Sequence, residues 1–137
     1  MKIVIADDDQ NLLAMLLPHL EHQGHSVALA ASGPDLLKKL KESRADLIIS
    51  DINMPGQDGI EIYGRARGMP EYAAVPFILC SGLEAAKGKE LAAADPKLRF
   101  LKKPFGLAAL QKAIDEVTDM PLFGDYDAPG GKPGLKL

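Results

Sequence analysis

The chain has 137 residues, 47% of them hydrophobic and 26% charged, which suits one domain with its own core and leaves too little for two. A net charge of −3 without a run of Lys or Arg speaks against a nucleic-acid surface, and the single cysteine, Cys80, excludes a disulfide framework and suits a reducing compartment. The first apolar stretch, Ile3 to Ala6, stops at Asp7-Asp8-Asp9, far short of a signal peptide, and no segment approaches the roughly 18 apolar residues of a membrane span; a soluble cytoplasmic protein is expected.

Lys2 to Ala6 is a short, continuously apolar strand of the kind buried in a parallel sheet, and Asp7, Asp8 and Asp9 follow it at once. From Gln10 to Gln23 the leucines 12, 13, 16, 17 and 20 recur at helical spacing, with Gly24 placed to end the helix. Pro18 interrupts this helix, lacks the N–H that would bond back to residue 14, and predicts a bend there. His25 to Ala30 is a second strand. Ser32, Pro34 and Asp35 open a helix whose stripe is Leu36, Leu37 and Leu40 and which ends near Ser43. Asp46 to Ser50 is a third strand, running into Asp51 and a loop punctuated by Pro55-Gly56 and Asp58-Gly59. A modest helix spans Gly59 to Arg67, with Ile60, Tyr63 and Ala66 on one side, and Gly68-Met69-Pro70 stops it. Val75 to Ser81 is a fourth strand, Glu84 to Ala94 a weakly amphipathic helix stopped by Asp95-Pro96, and Arg99 to Lys103 a fifth, edge-like strand. Gly106 to Thr118 carries Leu107, Leu110, Ile114 and Val117 in a helical stripe.

Five βα units imply an α/β fold, a doubly wound five-stranded parallel sheet with helices on both faces and right-handed crossovers. Residues 1–118 form the domain. In residues 121–137 seven of seventeen are Gly or Pro, so 119–137 reads as a tail with no core and no output domain.

With all strands parallel, Asp7 and Asp8, Asp51, Ser81 and Lys103 arrive at the carboxyl edge of one sheet, where open α/β sheets place their sites. Crowded carboxylates have raised pKa values unless a cation neutralises them. Mg2+ takes oxygen ligands of this kind and is commonly shared with a phosphate. A carboxylate can itself be the nucleophile and form an aspartyl phosphate, while a hydroxyl and an ammonium opposite bind the phosphoryl oxygens.

Strand-Asp7-Asp8, Asp51-Ile52-x-Met54-Pro55-x-x-Asp58-Gly59, Cys80-Ser81-Gly82 and Lys103-Pro104-Phe105 resemble, in order and spacing over residues 2 to 118, the receiver domain of bacterial two-component response regulators. The resemblance implies the flavodoxin-like strand order 2-1-3-4-5. It implies that Asp51 accepts a phosphoryl group from a sensor histidine kinase or histidine phosphotransfer protein, in a regulator that assists its own phosphoryl transfer but is not an enzyme. Asp8 and Asp51 are then direct ligands of Mg2+ (or Mn2+), with Asp7 acting mainly through water and Asn53 offering its backbone carbonyl. Ser81 fills the hydroxyl position and Lys103 the lysine position, the Lys103–Pro104 bond is cis, and Phe100, three before the lysine, is the aromatic switch. Phosphorylation draws Ser81 and Lys103 inward, Phe100 fills the vacated space, and the face of the fourth helix, fifth strand and fifth helix changes for a downstream target protein. Asn53 and Leu83 tune the phosphoryl lifetime. The molecule is expected to act as a monomer or weak dimer, without nucleic acid or membrane. Where the family often has Gly-Ala before the fifth strand, this chain has Pro96-Lys97, which predicts a stiffer loop.

Other readings weigh less. A flavodoxin-type carrier needs a first loop that binds an anionic phosphate, and Asp7-Asp8-Asp9 would repel one. An aspartyl-phosphate hydrolase puts its nucleophile at the first strand and has a cap domain. A phosphorylation-independent adaptor would use the same face. Asp9 reads as a helix cap, Cys80 as a buried strand residue, and His19, His22 and His25 as charge at a helix C-terminal end rather than a metal site.

Overall fold

A computed structural model describes residues 1–54, 56, 58–83 and 86–118. Five strands, β1 (Lys2–Ala6), β2 (Ser26–Ala30), β3 (Leu47–Asp51), β4 (Phe77–Ser81) and β5 (Leu98–Lys102), form one parallel sheet in the order β2-β1-β3-β4-β5. Helices α1 (Gln10–His22), α2 (Gly33–Glu42), α3 (Gly59–Arg67), α4 (Ala86–Ala94) and α5 (Leu107–Thr118) connect them, with a short 3-10 turn at Pro70–Tyr72. This is the flavodoxin-like doubly wound architecture anticipated from the βα alternation.

Strand side chains alternate between two faces, and the two halves of the core follow that parity. Val4, Ile48, Phe77 and Leu79 pack with Leu36 and Leu40 of α2 and with Ile62 and Tyr63 of α3. Ile3, Ile5, Ile49 and Ile78 pack with Leu12, Leu16 and Leu20 of α1 and with Leu110, Ile114 and Val117 of α5. The buried stripe of α3 is Gly59, Ile62, Tyr63 and Ala66, so Ile62 takes the place expected of the half-buried Ile60. Leu107 is 36% exposed, because it opens α5 before that helix has come down onto the sheet.

Element boundaries moved where capping competed with the ladder. The Gly24 N–H donates to the Glu21 carbonyl and the His25 N–H to the Leu20 carbonyl, a Schellman closure of α1 that recruits His25 into the cap and delays β2 to Ser26. Pro76 cannot donate to the ladder, and β4 begins after it, at Phe77. Helix α1 runs without interruption through Pro18. The carbonyl deprived of its partner belongs to Ala14, an exposed residue, so water can satisfy it. The 3-10 turn places Tyr72 in the core, where its hydroxyl donates to the Leu40 carbonyl at 2.7 Å and accepts the Ala45 N–H at 3.2 Å, tying α2 to the entrance of β3.

Candidate functional site

The strand register determines where the site lies. Ala6 pairs with Ser50, Asp51 with Cys80 and Ser81 with Lys102, so Asp7, Asp51, Ser81 and Lys103 are brought level at the carboxyl edge. Carboxylate oxygens of Asp7, Asp8 and Asp51 lie within 4.8 Å of one another; Asp7 and Asp51 are buried and Asp8 is exposed. Among the described residues this is the one group of three or more His, Cys, Asp or Glu so arranged. His19 is instead bonded to Gln111 at 2.8 Å, and His25 lies 3.0 Å from the N-terminal amine.

The Lys103 ammonium stands 2.9 Å from Asp7, 3.4 Å from Asp51 and 3.9 Å from Asp9. Its closest partner is thus Asp7, a pairing that sequence spacing did not indicate. Burial works to lower the pKa of this lysine, but the Asp7 and Asp51 carboxylates outweigh it and the ammonium is held above its ordinary value. Burial raises the pKa of Asp51, and Asp7 pushes in the same direction; the Asn53 N–H at 3.2 Å and Lys103 oppose the rise without cancelling it. Three carboxylates facing one ammonium leave an excess of negative charge on hard oxygen donors, a donor set that fits a divalent cation such as Mg2+.

Ser81 is 1% exposed and already occupied. Its Oγ accepts from the Asn53 Nδ2 amide and from the Leu83 N–H, each at 3.1 Å. Asn53 therefore touches both Asp51, through its main chain, and Ser81, through its side chain. The Asp51-x-Asn53 spacing was visible in sequence, but not this second contact. Asp9 caps α1, accepting the Leu12 N–H at 3.1 Å, and Asp58 caps α3, accepting the Glu61 N–H at 2.9 Å. Gly59 has a further role: a Cβ built there would lie 2.4 Å from the Asp51 carbonyl oxygen, so only glycine lets α3 start against the end of β3. The Lys103–Pro104 peptide bond is cis. Cys80 is fully buried, and burial pushes its thiol up so far that it stays protonated and inert.

Phe100 is half-buried on β5 and lies under α4. A Cβ added at Gly88 would come within 2.9 Å of its Cδ1 and 3.2 Å of the Cδ1 of Ile52, the residue that follows Asp51. The notch left by Gly88 thus brings together Ile52 after β3, α4 and the ring at position 100. Nothing in the sequence pattern of α4 singled this glycine out.

The family model of the response regulator receiver domain matches residues 3–115. Among curated relatives, the transcriptional regulatory protein AfsQ1 of Streptomyces coelicolor is 34% identical over 134 residues, covering 89% of this chain and 56% of its own length. The transcriptional regulatory protein GlrR of Escherichia coli is 30% identical over 117 residues, covering 85% of this chain and 26% of its own length. The chain thus spans about half of the first and about a quarter of the second. Among solved structures, the chemotaxis response regulator CheY4 of Vibrio cholerae superposes with a TM-score of 0.74 at 30% identity, covering 85% of this chain and 97% of that one. TrrA of Thermotoga maritima, solved in complex with Mg2+-BeF, gives 0.71 at 26% identity over 85% of this chain and 97% of its own. No helix among the described residues is long and apolar enough to cross a membrane. With its fold, its acidic cluster and a family match over residues 3–115, the chain belongs to the response regulator receiver domains of two-component signalling.

Proposed function

We propose that Asp51 accepts a phosphoryl group from a phosphohistidine of a sensor kinase or phosphotransfer protein, and that the change is read on the face formed by α4, β5 and α5. The observation that carries this reading is the convergence of Asp7, Asp8 and Asp51 with Lys103 on one side and Ser81 on the other, at one sheet edge. A bound Mg2+ (or Mn2+) held by Asp7, Asp8, Asp51 and the Asn53 carbonyl would neutralise the surplus carboxylate charge and share the phosphoryl oxygens.

An Asp51 carboxylate oxygen forms the bond to phosphorus as the nitrogen–phosphorus bond breaks and the imidazole leaves with its electron pair. The new group brings about 1.5 to 2 negative charges. Lys103, already 3.4 Å from Asp51, answers them by weighting its contacts away from Asp7. Ser81 gives up the Asn53 amide, turns its hydroxyl toward a phosphoryl oxygen and carries the Leu83 loop with it. That loop leads into α4, whose Gly88 notch holds the Phe100 ring, so the output face is mechanically continuous with the acceptor. Phe100 has no hydroxyl, and the readout is therefore one of shape.

Incubation with acetyl phosphate and Mg2+ followed by intact mass measurement tests the reading. The native chain is expected to gain one phosphoryl group and Asp51→Asn none; no gain in the native chain, or an equal gain in both, would overturn the reading, and no gain in either would favour a phosphorylation-independent adaptor.

A further inference from the structure

Helix α4 is the least firmly seated of the five. Of its nine residues only Gly88 is buried, where α2 buries three and α1, α3 and α5 bury four each. Gly88 has no side chain to interlock with the Phe100 ring beside it, and Leu91 and Ala92 are only half-buried. A groove of about 690 Å3, lined by Ala92, Ala93, Pro96 and Phe100 among others, leaves room between the helix and β5. Little apolar area therefore holds α4 to the sheet.

The two ends of the helix are held differently. At the carboxyl end the Asp95 N–H donates to the Leu91 carbonyl at 3.0 Å, which fixes Asp95 to the last turn, and the Leu98 N–H donates to the Asp95 carbonyl at 3.1 Å. The Asp95 carboxylate accepts from the Tyr63 hydroxyl, from Arg67 Nε at 3.0 Å and from the Lys97 N–H at 2.9 Å. The other two Arg67 nitrogens donate to the Tyr72 and Lys97 carbonyls, at 2.9 and 3.3 Å. The Arg67 and Asp95 side chains are 15% and 20% exposed, so their ion pair is largely shielded from water. Tyr63 and Arg67 both belong to α3, a helix with a fully buried stripe. Toward the amino end, Leu83 stands three positions before α4, is 64% exposed, and is tied by its N–H to the Ser81 Oγ at 3.1 Å.

We propose that Arg67 and Asp95 are positioning residues of the switch, pinning the carboxyl end of α4 to α3 so that the helix turns about Asp95 while its amino end moves. This rests on the reading above, in which phosphorylated Asp51 draws Ser81 inward. Ser81 then pulls on Leu83, at the loose end. A shift of about 2 Å there, on a helix about 13 Å long, fades almost to nothing at Asp95. The output face changes where Gly88 meets Phe100 and keeps its shape around Pro96.

The test is hydrogen exchange of single amides in the full-length chain, first in EDTA and without a phosphodonor. Lys97 and Leu98, whose N–H groups both bond to Asp95, should exchange roughly tenfold or more slower than Glu90 and Leu91 in α4. Arg67→Met keeps the stem, removes the donors and should erase the difference; Tyr63→Phe removes one hydroxyl and should reduce it, with amide dispersion confirming the fold. Mg2+ and beryllofluoride, a phosphoryl mimic, are then added. In the native chain the amide resonances should shift from Gly88 to Leu91 and stay nearly still from Asp95 to Leu98. In Arg67→Met they should shift at both ends, a redistribution that a merely stabilising contact would not produce. Equal exchange at both ends, a difference that survives Arg67→Met, or native shifts as large from Asp95 to Leu98 as from Gly88 to Leu91 would overturn the proposal. Beryllofluoride that shifts no amide would overturn the Asp51 reading instead, while the exchange rates, measured without it, still decide the anchor.

Discussion

At Asp51, burial and the Asp7 carboxylate raise the pKa while the Asn53 N–H and Lys103 lower it, and the raising effects prevail. The folded state then holds the Asp51 proton more tightly than the unfolded chain does. Ionised Asp51 therefore subtracts stability at neutral pH, a penalty that disappears as pH falls through its folded pKa. Asp51→Asn should accordingly stabilise the metal-free protein by on the order of 1 kcal/mol, a few degrees in Tm. Mg2+ should raise the melting temperature of the native chain more than that of the variant. Thermal melts with EDTA and with Mg2+ check both, and an Asp51→Asn protein less stable than the native one in EDTA would refute the electrostatic account. At this scale the sequence exposed Asp7, Asp8, Asp51, Ser81 and Lys103, because each ends or directly follows a strand and the strands are parallel. It did not expose the Asn53–Ser81 bond, the preference of Lys103 for Asp7, or the tight seat of Gly59, all of which depend on how loops from different strands meet.

Among the elements, the junction of α3 with the α4–β5 loop departs furthest from its sequence reading. Asp95-Pro96 reads as a helix stop, yet Asp95 also anchors a polar cluster. Its Oδ2 accepts from the Tyr63 hydroxyl and from Arg67 Nε at 3.0 Å, and its Oδ1 from the Lys97 N–H at 2.9 Å. Arg67 donates onward to the Tyr72 and Lys97 carbonyls and lies over the Tyr63 and Phe77 rings. Burial would raise the Asp95 carboxyl, but these donors overcome it and hold it below the ordinary carboxylate range. A depressed folded pKa adds stability above the unfolded value and loses it as pH falls through the folded one. Asp95→Asn should therefore cost about 2 kcal/mol at pH 7 and flatten the dependence of stability on pH below about 4, as read by urea melts across pH. The loop for which Pro96-Lys97 predicts stiffness also carries this polar anchor. The Gly88 notch belongs to the same scale. Alanine should gain helix propensity there and crowd Phe100. A double-mutant cycle of Gly88→Ala with Phe100→Leu should show a coupling of about 1 kcal/mol, and additive effects would mean that ring and helix do not communicate.

For the molecule as a whole, two apolar clusters share one sheet, and each strand contributes alternate residues to both. Neither cluster can dissolve without stripping the strands that support the other. Leu16→Ala on the α1 side and Leu36→Ala on the α2 side, both fully buried, should each cost about 2–5 kcal/mol and leave a single unfolding transition. Two resolved transitions in calorimetry would contradict a shared core. By itself the sequence determined the βα order, the parallel sheet and the edge at which the acidic, hydroxyl and ammonium groups gather. Hydrophobic period and turn residues are local signals, and parallel strands leave few topologies open. Only the tertiary structure decided which partner each of those groups holds: Lys103 on Asp7, Ser81 under Asn53, Asp95 on Arg67 and Phe100 beneath Gly88. These pairings link residues 28 to 96 positions apart, or 12 in the case of Gly88 and Phe100. They follow from strand register and the seating of helices on the sheet, which no local pattern encodes.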